Sequence, residues 1–327
     1  EYKRLTPVYD WMKIPGATIV QLDKMPGENE IQKWGLTDYV GAVTDGIYGA
    51  VGFDFKSPHT GLAARKAWFF FDKTYVCLGT NISSRMKNQV LTTVNQCPLN
   101  GEVTVSDADG IHPQELGSRM KKEVRWVVHD KVGYYFLKKE NVILSNQHME
   151  GSWKIANRQT TTPTDIIRQD VFTLSIDHGS SPNNGGYAYM VIPSSDPQSI
   201  EKKVEEEGVV ILANCPDLQA VRHGGLNMAY AVFYKGGTLQ VHDKIVVEMD
   251  SPGMLMVKYN DVGEILALGV SDPTRFMKKL HLSVNQKIVW PAQENIQTEW
   301  DEKQALTRIS VDLPQNEYAG KSVIYNK

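Results

Sequence analysis

Short runs of aromatic and β-branched residues, broken by turn formers, dominate the 327-residue chain. Ala67-Trp68-Phe69-Phe70-Phe71, Tyr75-Val76-Cys77-Leu78, Arg125-Trp126-Val127-Val128-His129 and Val132-Gly133-Tyr134-Tyr135-Phe136 have strand composition. Phe71-Asp72-Lys73, His129-Asp130-Lys131 and the stretch from Gly179 to Gly186 supply turns between such runs. The rhythm returns at residues 170–176, 187–192 and 228–234. Helical periodicity is nearly absent. One short helix is predicted over Pro197 to Glu207, with Asp196 to cap its start and Gly208 following its end. Strands at short spacing, joined by hairpin turns, predict an all-β chain of antiparallel sheets. About 240 residues of them exceed one small sandwich, so two or more large stacked sheets are expected. A boundary is expected near residue 241. Beyond it, Lys244-Ile245-Val246-Val247-Glu248, residues 253–258 and residues 263–268 predict a smaller β-sandwich over 242–327.

Composition narrows the function classes. With 41% hydrophobic and 22% charged residues, the chain has the make-up of a soluble globular protein. A net charge of −3 argues against general nucleic-acid binding, and a basic groove for an acidic polymer has to be local. No apolar run approaches the roughly 20 residues of a membrane-crossing helix. The chain opens on Glu1-Tyr2-Lys3-Arg4 with no leader-like pattern, so an upstream segment is expected. Cys77, Cys97 and Cys215 are odd in number and lack CxxC spacing, which argues against a zinc site. Cys77 and Cys97 either face each other across a sheet or stay as buried free thiols; the second is expected.

Chemical motifs are sparse. The chain holds no nucleotide-loop glycine pattern, no HExxH and no GxSxG. Asp107-Ala108-Asp109-Gly110 lacks the third acidic position of a calcium loop and is expected to be a polar turn. Eight histidines are scattered without ligand spacing. His178 stands out, because Asp177-His178-Gly179 precedes a Gly/Asn/Ser-rich loop that either carries binding groups or is a plain hairpin. Glu28, Asn29 and Glu30 form an acidic knot after the Pro26-Gly27 turn, for which a solvated loop is the blander reading. Trp11, Trp34 and Trp153 flank turns, where an indole either stacks on a sugar or is buried in a core.

Several segments, in order, resemble the polysaccharide lyase family of hyaluronate, chondroitin and xanthan lyases. They are Tyr9-Asp10-Trp11-Met12-Lys13-Ile14-Pro15-Gly16-Ala17-Thr18, then Tyr39-Val40-Gly41-Ala42-Val43-Thr44-Asp45-Gly46, then Ala64 through Asp72 with Val76 through Ile82. His129 through Tyr134, Gly151 through Asn157, Asp177-His178-Gly179 and Val270-Ser271-Asp272-Pro273-Thr274 follow. The resemblance implies a central β super-sandwich over 1–241, a small C-terminal β-sandwich over 242–327, and an N-terminal α/α toroid that these residues do not include. It implies β-elimination on a uronic-acid polymer such as chondroitin sulfate or hyaluronan. The family's Asn, His, Tyr and Arg for that chemistry lie in the toroid. No histidine or tyrosine here is therefore assigned those roles, and this chain alone is expected to be inactive. Some relatives send an acidic residue into the cleft from a loop early in the β domain. Glu28 or Glu30 is the catalytic candidate, holding a cleft Arg or His by a charge-assisted hydrogen bond. Trp34 and His178 are the substrate-binding candidates. The implied partners are an acidic polysaccharide and the toroid, without nucleic acid or membrane insertion. No cofactor or metal is expected, and secretion or periplasmic export is. Two other classes stay open: a noncatalytic carbohydrate-binding or scaffold β protein, and a self-contained glycosidase-like enzyme. The latter needs a facing carboxylate pair that spacing does not establish.

Overall fold

A computed structural model describes residues 5–30, 32–157 and 159–327. Its α-helices among these are short, Trp153–Ala156 and Ile200–Glu207; nearly all other regular structure is strand. The period-two pattern explains why. In the strand Lys279–Val284, Leu280, Leu282 and Val284 are buried, while Lys279, His281 and Ser283 alternate with them on the opposite face. Met228–Phe233 is buried at every position, as a strand covered on both faces must be.

The chain divides into two compact units, both discontinuous in sequence: Glu1–Lys33, Ser57–Leu62 and Ile82–Ile200 form one, and Trp34–Lys56, Ala63–Asn81 and Glu201–Lys327 the other. In the first unit, antiparallel strands run side by side in the order Thr18–Val20, Gln89–Pro98, Ile167–Ser180, Val132–Gly151 and Gly185–Pro193. Gly117–His129 also pairs with the long strand Val132–Gly151, and Val103–Asp107 pairs with Gly117–His129. Val103–Asp107 turns back on Gly110–Pro113 through Ala108-Asp109. That turn is the motif weighed as a calcium loop. The Asp107 carboxylate receives the Asp109 N–H and His112 Nε2 and lies 3.4 Å from Lys121 Nζ. These partners hold its pKa below the ordinary value despite its burial.

In the second unit, a six-stranded sheet (Val209–Cys215, Leu218–His223, Met228–Phe233, Gly253–Tyr259, Ile265–Ser271, Val323–Asn326) faces a five-stranded one (Gly237–His242, Ile245–Met249, Lys279–Val284, Leu306–Asp312, Ile296–Asp301). Ala229, Ala231, Phe233, Val257, Val247, Leu280, Ile309 and their neighbours fill one core between them. Each buried large aliphatic or aromatic side chain there is worth about 1.5–3 kcal/mol. The first strand of the six-stranded sheet is Val209–Cys215, and residue 241, near which a boundary is expected from sequence, lies inside the strand Gly237–His242. The strands of 209–233 repeat the hydrophobic pattern of the preceding chain, so pattern alone does not mark the change of sheet.

The meander Val40–Thr44, Gly49–Lys56 and Ala63–Phe70 belongs to this second unit. It packs on the six-stranded sheet. Tyr39 donates its hydroxyl to the carbonyls of Phe233 and Gly253 at 2.9 and 3.1 Å. A Cβ on Gly52 would come within 2.5 Å of Val232 Cγ1, and one on Gly41 within 2.8 Å of Pro273 Cα. Ser271 donates to Ala42 O at 2.8 Å. The segments 39–46 and 270–274, singled out by sequence, therefore meet each other.

Candidate functional site

Three of the four candidates, Glu28, Glu30 and His178, belong to one sheet edge and the segment leaving it. Thr18–Val20 is the edge strand, with Thr18 opposite Thr92. Their hydroxyls lie 2.8 Å apart, and Thr92 Oγ1 is also 2.8 Å from His178 Nε2. His178 owes this position to Asp177-His178-Gly179. The ladder between Ile167–Ser180 and Gln89–Pro98 slips between Asp177 and Ser180, Gly179 takes φ +72°, and Asp177 Oδ1 accepts the Gly179 N–H. Such a bulge re-aims a side chain. The ring also lies 6.1 Å from Tyr187. The loop beyond it is tied down by side-chain hydrogen bonds, with Ser181 Oγ donating to Met86 O and the Asn184 N–H to Ser83 Oγ.

From Thr18–Val20 the chain runs into an exposed segment with one short 3-10 turn, Glu28–Glu30. Glu30 is exposed, and its Oε2 accepts the Gly27 N–H at 2.6 Å, closing the Pro26-Gly27 turn on itself. A carboxylate has about four acceptor sites, so this bond leaves capacity for a cation. The Glu28 side chain lies outside the described residues. Trp34, 80% exposed, belongs to the second unit. The structure thus ties His178 to the root of the segment that carries Glu28 and Glu30. Trp11 is half-exposed and packs edge-on to Tyr9 at 5.0 Å, and Trp153 forms part of a small cleft with Asn157, Gln159 and Thr162. Sequence reasoning passed over Thr18 and Thr92; their register across two paired strands was the missing signal.

Elsewhere the chemistry is quiet. His129 is buried, its Nε2 accepts the Asn100 N–H at 3.0 Å, and Nδ1, which then carries the proton, faces Cys97 Sγ at 3.7 Å. Burial lowers the imidazole pKa and pushes the Cys97 thiol up to about 12, with Asp130 acting in the same direction on the thiol. A neutral thiol beside a neutral imidazole is not an activated nucleophile. Cys77, Cys97 and Cys215 are all free thiols, the first two buried. Among the described residues no three His, Cys, Asp or Glu side chains gather as a metal requires. A cavity of about 620 Å³ opens on the five-stranded sheet, lined by Glu248, Asp250, His281, Glu299 and Arg308 among others. It involves none of the four candidates, and its acidic lining opposes a polyanion.

The super-sandwich domain of polysaccharide lyase family 8 matches residues 1–204, and the family's C-terminal β-sandwich domain matches 210–281. The chain belongs to polysaccharide lyase family 8. Among family 8 relatives, chondroitinase-AC of Pedobacter heparinus is 36% identical over 329 residues, covering 99% of this chain and 43% of that protein. A hyaluronate lyase of Thermasporomyces composti is 29% identical over 290 residues, 86% of this chain and 36% of its own length. A solved chondroitinase AC lyase, described in oligosaccharide complexes, superposes with a TM-score of 0.85 at 35% identity, over 99% of this chain and 45% of that one. This family 8 chain spans less than half the length of each of these relatives.

Proposed function

We propose that this chain is the β-sheet portion of a lyase that cleaves uronic-acid-containing glycosaminoglycans, chondroitin sulfate or hyaluronan, by β-elimination. The observation that carries the reading is the 36% identity to a chondroitinase-AC across 99% of the chain. In such a reaction a base removes the uronate C5 proton, and the departing O4 takes up a proton. The C5 proton is weakly acidic, so the adjacent carboxylate must be neutralised while the base is held in position. The base and the neutralising groups belong to an N-terminal helical toroid of the full-length protein. What this chain contributes is positioning. Glu28 or Glu30, on the segment rooted beside His178, holds a cationic side chain of the cleft by a charge-assisted hydrogen bond. Trp34 and His178 contact the sugar chain. The protein works outside the cytoplasm, where such polymers are met.

The test is the full-length protein on chondroitin sulfate and hyaluronan, following the absorbance of the unsaturated product. Product is expected; binding without product favours the noncatalytic scaffold reading instead. Glu28→Gln and Glu30→Gln in that protein keep size and remove charge. One of them should lower kcat about tenfold or more, the equivalent of at least about 1.4 kcal/mol of transition-state stabilisation. Thermal stability should barely change, as for most surface substitutions. Parental kcat in both variants removes this loop from the mechanism.

A further inference from the structure

Two large aromatic side chains stand out of the C-terminal sandwich where its acidic groove does not reach. Phe276 is 75% exposed and Tyr318 60%. They sit on two loops laced together: Arg275 Nε donates to Ala319 O at 3.1 Å, Gln315 Nε2 to Met277 O at 3.0 Å, and the Leu313 N–H to Lys278 O at 2.8 Å. The buried Asp272 carboxylate fixes the first loop by accepting the N–H groups of Thr274 and Met277. Arg275 and Asn316 hold positive φ of 67° and 58°, a backbone cost that the surrounding hydrogen bonds sustain. The aromatic positions are therefore fixed, although none of the described residues covers them.

Charge singles out this surface further. Arg275, Lys278 and Lys321 are exposed on the same two loops, and none forms an ion pair among the described residues. Lys321 Nζ lies 5.9 Å from the Tyr318 ring centre. The acidic groups of the region are Glu317, exposed, Asp312, paired with Lys279 at 3.0 Å, and Asp272, turned inward. On a chain of net charge −3, this is a local excess of unpaired cations beside exposed rings. Rings offer flat apolar faces to the C–H faces of sugars, and unpaired cations attract carboxylate or sulfate.

We propose that the surface of Arg275, Phe276, Lys278, Tyr318 and Lys321 is a second, noncatalytic binding site for an acidic polysaccharide. Phe276 and Tyr318 pack against pyranose faces, and Arg275, Lys278 and Lys321 take the anionic substituents. The proposal rests on the lyase reading only for the identity of the polymer. Each exposed contact is weak, so the site acts by avidity. A chain long enough to occupy it and the cleft together is held at a raised effective concentration, whereas a short oligosaccharide gains nothing.

The experiment compares the full-length protein with the double variants Phe276→Ala/Tyr318→Ala and Lys278→Glu/Lys321→Glu. All four side chains are exposed, so unchanged melting temperatures are expected and are checked first. In affinity electrophoresis through gels containing chondroitin sulfate, hyaluronan or neutral dextran, the parent is retarded by the two acidic polymers and not by dextran. The retardation fades as salt shortens the screening length. Each double variant loses affinity about tenfold. On long polymer KM rises about fivefold in the variants, while kinetics on a tetrasaccharide stay parental. A parent that is not retarded, variants retarded like the parent, or equal kinetic changes on polymer and tetrasaccharide overturn the proposal. Charge-dependent retardation with no unsaturated product from the parent overturns the lyase reading and leaves this surface standing.

Discussion

Glu140 sits on Val132–Gly151 where the ladder to Gly117–His129 slips, opposite Val124. Burial pushes its carboxyl up to about 7 from the ordinary 4.5, against an opposing pull from Lys138. The folded value is the higher one, so between about pH 4.5 and 7 the native chain holds a proton that the unfolded chain has released. The stabilisation is full below that window and is lost as pH rises through 7. Glu140→Gln should therefore be more stable than the parent by about 1–3 kcal/mol at pH 8 and equal to it at pH 4. Urea unfolding at the two pH values measures this; a parent as stable as the variant at pH 8 contradicts it. His129 works the opposite way. Its lowered pKa favours the neutral ring, so acidification below about 6.5 costs stability. Neither effect was legible in sequence, since both depend on what is packed around the group. The irregularity at His178 had a local sequence mark in Asp177-His178-Gly179, where Gly179 takes φ +72°. Glu30 was visible as an acidic turn residue, but its bond to the Gly27 N–H was not.

At the scale of elements the strands were largely readable, and their polar portions were not. The expected run Arg125–His129 is the apolar end of Gly117–His129, whose first half, Ser118-Arg119-Met120-Lys121-Lys122-Glu123, has no hydrophobic period. Pairing with residues 142–145 of the neighbouring strand holds it extended. The predicted helix is present from Ile200 to Glu207, with Gly208 at φ +58° after it. Asp196 Oδ1 accepts the N–H groups of Gln198 and Ser199, so it caps the turn that leads into the helix. The meander against the sandwich is held by close approach, which makes Gly52 its most sensitive point. Gly52→Ala must displace Val232 or the strand itself, and should destabilise the chain by about 1–3 kcal/mol. Calorimetry should show the loss as a lower Tm; an unchanged Tm means that the strand yields without penalty.

For the whole molecule, an all-β chain with two kinds of sheet could be read from turn spacing, but the partition of the chain could not. Strand signals are local, whereas membership of a unit depends on partners far away: the meander of 40–70 joins strands beyond 209. The family was legible only through resemblance, because no strand pattern or residue spacing here carries a chemical motif of its own. Incubating the 327-residue chain alone with chondroitin sulfate should give no rise in absorbance above buffer. A clear rise means that a complete acid/base set lies within these residues.

The bond from Tyr39 to the Phe233 carbonyl joins residues 194 positions apart. A ribosome adding about 5–20 residues per second needs roughly 10–40 s to travel that far. During that interval the meander has left the exit tunnel, while the sheet that will cover Tyr39 and Gly52 does not yet exist. The nascent chain also carries its aromatic run at 67–71 without that cover, for a somewhat shorter time, until Tyr230 is made to meet Phe69 and Phe71. Vectorial synthesis therefore gives this architecture a period of aggregation risk that a protein of contiguous domains avoids, and late closure by residues beyond 209 ends it.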